Sequence, residues 1–373
     1  VGPVGGVDGI TASGIVSLHA TGLVNQTQPV VANGLELQAT GAGTYNLTST
    51  DNDVSTLAAN VPEGFSFANN SNLSIGTVNS TTGVTSAADE SFISITGSGT
   101  LTIDQNVTHN GANAGVNLSS VGAMGGGGIV SAAFIAFQGS GQTGAVGTSA
   151  NPLKTSGANT TMSFGMSGAG PSAIYISHTG DLTSPSFSYS LTDVPVSFEA
   201  SGDLTFPGID TGTADLTLKS TGGVLSTTGS LSGHAIDLTA VGNYTPAENI
   251  SATNLAIELT GAGSKLTRAA GVTISGTTST TIKADKVDNS AATGVLGAAG
   301  STVTLLPKAS GRAITLGTDT ADAGSDLELS TNDLGQVTAS ILRIGDNVSG
   351  ALTIGAAIAP TNVTTLVLGS GST

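Results

Sequence analysis

Cysteine and tryptophan are absent from this chain of 373 residues. Without thiols there is no disulfide framework and no thiolate metal site. Such a chain also crosses an oxidising compartment unfolded without becoming cross-linked. Charge is scarce: Asp, Glu, Lys and Arg together make up 9% of the residues, against about 25% in ordinary globular proteins. The charge that exists is one-sided, 25 acids to 9 bases, for a net of −16. That sign opposes nucleic acid and anionic lipid, which both demand a basic surface. No apolar run approaches the roughly 18 residues of a membrane-spanning helix, so direct membrane insertion is not expected. No charged-then-apolar leader opens the chain. Nor does any segment hold helical periodicity over about three turns, so helix is expected to be nearly absent.

What is present is glycine, 54 of them, with abundant Ser, Thr and Asn. Set among these are short alternations of apolar and polar residues. From Gly311 onward they run Ile314–Leu316, Leu327–Leu329, Leu342–Ile344, Leu352–Ile354 and Leu366–Leu368. Period-two alternation puts one face of a strand in a core and the other in water. A flexible linker has no need of the recurring Val, Ile and Leu, so ordered β structure is expected.

The strands also repeat. Ser17–Gly22 returns as Glu36–Gly41, Thr217–Gly222 as Asp237–Gly242, and Ala235–Thr239 as Ala256–Thr260. In the final stretch Leu327 and Leu352 mark the same interval with strands between. A drifting period of about 20–25 residues points to an all-β, right-handed parallel β-helix. The rival, a sandwich of antiparallel hairpins, needs Asn-Gly or Asp-Gly turns every few residues. Asn33-Gly34 and Asn110-Gly111 exist, but most turns are longer runs of Gly, Ser and Thr. Residues 1–373 are therefore expected to form one continuous solenoid segment. The Gly-rich residues 122–172 read as an irregular or widened section, and aromatics peak in the middle third to fill wider coils. A sugar-stacking surface is the alternative reading of those aromatics.

Leu18, Leu37, Leu218, Leu238, Leu259, Leu316, Leu329 and Leu352 are expected to point inward. Asp237 and Glu258, equivalent in the best repeat pair, would stack as like charges on adjacent coils. At about 4.8 Å per coil the chain makes a rod on the order of 70–90 Å. Neither end supplies a cap, so both ends are expected to present open edges, continued by more chain or by another subunit.

Chemical motifs are few. Gly139-Ser-Gly-Gln-Thr-Gly144 matches the dinucleotide-binding pattern, yet Ala145–Pro152 cannot form the helix that pattern requires. His19, His109, His178 and His234 are isolated and read as surface residues, and no zinc set converges. Carboxylate candidates for polysaccharide cleavage are Asp51 with Asp53, Asp89 with Glu90, Asp285 with Asp288, and Asp319 with Asp322 and Asp326. All fall in apparent turns, where Asp caps backbone amides. Calcium-roll and EF-hand patterns are absent. Roughly a dozen N-x-[ST] sequons occur, among them Asn46, Asn106, Asn117 and Asn347. No catalytic, cofactor-binding or metal residues, and no cofactor, are therefore expected.

Two stretches resemble a known family. Leu47–Val61 with Gly64-Phe-Ser-Phe67 and Leu73–Val78 is similar to repeats of very large Gram-negative exoproteins. So is Gly311–Leu316 with Thr338–Gly345 and Gly350–Ile354. These are the filamentous-haemagglutinin-like adhesins, typically exported by two-partner secretion. The resemblance implies a right-handed β-helix, extracellular at the bacterial cell surface, acting in adhesion, aggregation or matrix building. Its partners would be surface or matrix glycans and proteins, or further copies associating end to end or laterally. The family's N-terminal secretion domain is missing from the sequence. The alternative is a polysaccharide-active β-helix enzyme, a lyase or hydrolase.

Overall fold

The computed structural model describes residues 9–167, 170–291, 293–318 and 324–371. The chain divides into two compact units, residues 1–190 and 191–373. Each is a parallel β-solenoid with coils of about 22 residues.

In the first unit one sheet stacks Ile15–Ala20, Val30–Ala39 and Asp53–Asn60, then Val84–Ser86, Val107–His109, Ile129–Ser131, Leu153–Ser156 and Ile174–Thr179. Inward positions align from coil to coil: Leu18, Leu37, Ala59, Val84, Val107, Val130, Thr155 and His178 form one row. A second sheet stacks Thr44–Leu47, Phe65–Asn69, Phe92–Gly97, Gly115–Ser120, Phe134–Ser140 and Thr160–Ser167. Its inner row reads Leu47, Phe67, Ile95, Leu118, Phe137 and Phe164. Phe137 and Phe164 stack with ring centroids 4.9 Å apart. Most aromatic side chains thus fill the interior, where a ring spans a wide coil and keeps packing dense. Residues 122–167 stay in the ladder, with the loop 141–152 lengthening the step from Val130 to Thr155 to 25 residues. An antiparallel hairpin, Thr77–Val78 with Thr81–Thr82, stands out from the parallel pattern.

The second unit stacks Val196–Ala200, Leu216–Ser220, Leu231–Ala240, Ile250–Leu259, Ile274–Lys283, Thr302–Leu306, Ala339–Ile344 and Val363–Leu368 in parallel. The step from Leu305 to its partner Ile344 is 39 residues, well over one coil. The chain there runs forward to Ile314–Leu316, returns to Leu327–Leu329, and makes a five-residue helical turn, Thr331–Gly335. Ile314–Leu316 ends up between Leu327–Leu329 and Leu352–Ile354. The interval from Leu327 to Leu352 is therefore not one coil step; both strands flank the same neighbour. The helical turn, the only helix among the described residues, opens on a capping box in which Ser330 and Asp333 bond reciprocally.

Of the eight leucines expected inward, Leu37, Leu218, Leu238, Leu259, Leu316 and Leu329 are buried. Leu18 and Leu352 are partly exposed. The expected stacking of Asp237 on Glu258 fails. Leu238 pairs with Ile257, so Asp237 faces Ala256 and Glu258 faces Thr239 and Lys283. The slip is two residues, which preserves the inward face because the side-chain period is two.

Candidate functional site

The polar residues that invite a catalytic reading are mostly parts of the scaffold. One arrangement recurs in both units. An Asn or Asp stands just before an inward strand residue, and its Oδ1 accepts the backbone N–H at the corresponding place one coil later. Asn72 accepts from Thr100 at 2.9 Å, Asn106 from Ile129 at 3.0 Å and Asp203 from Val224 at 2.8 Å. Asp215 accepts from Ala235 at 3.1 Å, Asn243 from Lys265 at 2.8 Å and Asn249 from Thr273 at 2.8 Å. The residue after each is a buried Leu, Val, Tyr or Ile, and the next is an outward Ser or Thr. Where the cap is Asn, this scaffold triplet is itself a sequon. Asn72, Asn106, Asn243 and Asn249 carry sequons for that reason.

The carboxylate candidates disperse. Asp53 accepts from Ser71 Oγ at 2.6 Å and Asp89 from the Ala112 amide at 2.7 Å. Asp285 is buried and accepts the Gly263 amide at 2.8 Å, with Arg312 3.6 Å away. Asp288 accepts from Ser290 and faces Lys265 at 3.7 Å. Asp326 accepts from Thr315 Oγ1. Asp319 and Asp322 lie outside the described residues. Among the described residues no group of three His, Asp or Glu is placed to hold a metal.

Two histidines read as surface residues are buried, a correction to the sequence reading: His109 is 3% and His178 2% exposed. The Gly111 amide donates to His109 Nδ1 at 3.3 Å and Ser91 Oγ lies 2.9 Å from Nε2. Thr155 Oγ1 lies 2.9 Å from His178 Nδ1, and Nε2 donates to the Gly157 carbonyl at 3.1 Å. Burial pushes both pKa values down, and both rings are held in the neutral form. His19 and His234 are exposed.

Glu36, Arg268 and Asp333 are buried ionisable residues that went unnoticed in the sequence. Glu36 accepts from Ser17 Oγ and Thr81 Oγ1, each at 2.6 Å, from Asn79 Nδ2 at 2.8 Å and from Gln38 Nε2 at 3.1 Å. Those donors hold its pKa at about 2, and two of them clamp the Thr77–Thr82 hairpin to the sheet. Arg268, 2% exposed, donates to the carbonyls of Val272, Thr293, Asn289 and Ala291 and to Asn289 Oδ1. Asn289 in turn bonds Asp333 of the helical turn.

What remains free to meet a ligand is surface. The outward side of the second sheet in unit 1 carries Ser66, Ser94, Asn117 and Ser163 in one column, interrupted by the buried Ala136, and Thr96, Ser119 and Gln138 in the next. A third column holds Phe92, Gly115, Phe134 and Thr161. Phe92 is 51% exposed, although its residue type belongs inside. Gly115 makes its position possible: a Cβ there would stand 2.5 Å from Phe92 Cε1 and 3.2 Å from Phe134 Cδ1. Both rings lean over the bare glycine. None of these residues is charged.

No protein-family model matches the chain, and neither does any curated protein or solved structure.

Proposed function

We propose that this chain is a structural and adhesive segment of a secreted, filamentous-haemagglutinin-like exoprotein at a Gram-negative cell surface. The observation that carries this reading is the division of labour among polar side chains. Caps, buried histidines and the carboxylates described above serve coil-to-coil bonding, while the outward side chains stand in columns one strand spacing apart. Such columns offer a repeating contact surface, the kind an adhesin uses; a hydrolase needs two convergent carboxyls about 5–10 Å apart. The β-solenoid architecture and the quoted repeats agree with that family.

The test uses beads coated with the purified chain. Retention on bacterial cells and on extracellular matrix is expected, with no new reducing or unsaturated ends when the chain is incubated with neutral and acidic polysaccharides. Absence of retention overturns the adhesive role. Catalytic release of ends supports the lyase or hydrolase reading in its place.

A further inference from the structure

We propose that the uncharged face of unit 1 centred on Phe92, Gly115 and Phe134 binds a neutral, extended polysaccharide. The inference rests on the adhesive reading and names the chemistry of one ligand class. Three observations carry it. First, Phe92 and Phe134 converge over Gly115, where the absent Cβ would have stood 2.5 Å and 3.2 Å from the two rings. They occupy alternate coils, one on each side of the glycine. Two rings sharing one glycine make a continuous apolar floor about two strand spacings long. Such a floor suits the C–H face of a pyranose, because an aromatic π-face carries partial negative charge and C–H groups carry partial positive charge.

Second, a column beside that floor presents a hydroxyl or amide on three successive coils, Thr96, Ser119 and Gln138. Coils repeat at about 4.8 Å, close to the rise of one sugar in an extended polysaccharide. A glycan laid along the column therefore keeps register over those coils. Asn117 Nδ2 donates to Gln138 Oε1 at 3.2 Å, which holds the exposed Gln138 amide in place. Third, the face holds no charge, while the chain carries −16 and Asp89 and Glu90 stand in the loop ahead of Phe92. Acidic polysaccharides meet repulsion there, and neutral ones do not. A protein partner finds neither a deep apolar pocket nor charged anchors on this face.

The test is retention of the whole chain on insoluble cellulose, chitin and mannan, compared with polygalacturonate, followed by titration with oligosaccharides of whichever polymer retains it. Retention on at least one neutral polymer, and none on polygalacturonate, is expected. Phe92→Ala is expected to weaken binding about tenfold with thermal melting unchanged, because the lost ring is exposed. Gly115→Ser keeps both rings but displaces Phe92, and is expected to weaken binding to a similar extent. Thr108→Ala, on the other sheet, is expected to bind as the parent does. Failure on all three neutral polymers, preference for polygalacturonate, or full binding by a folded Phe92→Ala chain overturns the assignment. Coated beads that hold to cells while the neutral polymers fail overturn this inference alone. Beads that fail on cells while a neutral polymer binds overturn the adhesive role alone.

Discussion

A leucine in this chain is stabilising according to how many coils stack on it. Leu238 is buried between Leu218 and Ile257. Leu238→Ala is expected to cost about 2–5 kcal/mol in urea unfolding, the range for a cavity in a packed core. Leu18, partly exposed and paired on one side with Leu37, is expected to cost clearly less. Asn106→Ala removes an acceptor from the Ile129 amide and is expected to cost about 1 kcal/mol, with Asn106→Asp much milder, because the carboxylate keeps an oxygen in place. Acid should loosen unit 1. His109 and His178 have folded pKa values below the ordinary 6.5. Their contribution is complete above that pH and is lost as the pH falls below it, because the unfolded chain takes up protons first. Glu36, held at about 2 against an ordinary 4.5, adds a second loss as the pH falls from about 4.5 to 2. Melting temperatures of His109→Asn and His178→Asn chains should fall less steeply between pH 7 and pH 5 than those of the parent, a window set by the ordinary histidine pKa.

Strand positions were legible along the chain, but neighbours were not. Ile314–Leu316, Leu327–Leu329 and Leu352–Ile354 are all strands, as their alternation indicates. Their order is inverted because the chain doubles back between them. Alternation reports which face a residue occupies and is blind to which strand lies beside it. The same blindness caused the two-residue slip at Asp237. What stacks there is opposite charge: Glu258 lies 3.0 Å from Lys283 and Glu199 3.3 Å from Lys219. Melting in calcium is accordingly expected to match melting in chelator, and a marked rise with calcium would point to a cation site among the acids. Arg268 joins residues 268–272 to residues 289–293, and Asn289 carries the connection on to Asp333 of the doubled-back turn. Arg268→Met, by stranding four carbonyls and loosening Asn289, is expected to cost about 3 kcal/mol or more and to speed hydrogen exchange across residues 327–337. Arg268→Lys should rescue little, since an ammonium cannot fill a five-donor planar site.

For the chain taken whole, composition was the strongest guide. Few charges, no Cys, abundant Gly and period-two alternation led to an all-β solenoid, and far-UV circular dichroism should show under about a tenth helix, against about a third in ordinary domains. With −16 charges, no shift of DNA mobility is expected in a gel at physiological salt. The Ser330-x-x-Asp333 cap could have signalled the short helical turn, and Asn before an apolar residue could have signalled the inter-coil caps. The candidate face was not legible in the same way. Phe92, Gly115 and Phe134 are 23 and 19 residues apart, and they meet only because parallel pairing sets them opposite one another. By itself the sequence determined the class of fold, the inward face of each strand and the sign of the surface charge, because these follow from side-chain chemistry and local periodicity. Tertiary structure alone decided register, the inverted strand order, which histidines are buried and which aromatics reach the surface. Those depend on contacts between residues 20 or more apart in the chain, and loop length varies from coil to coil.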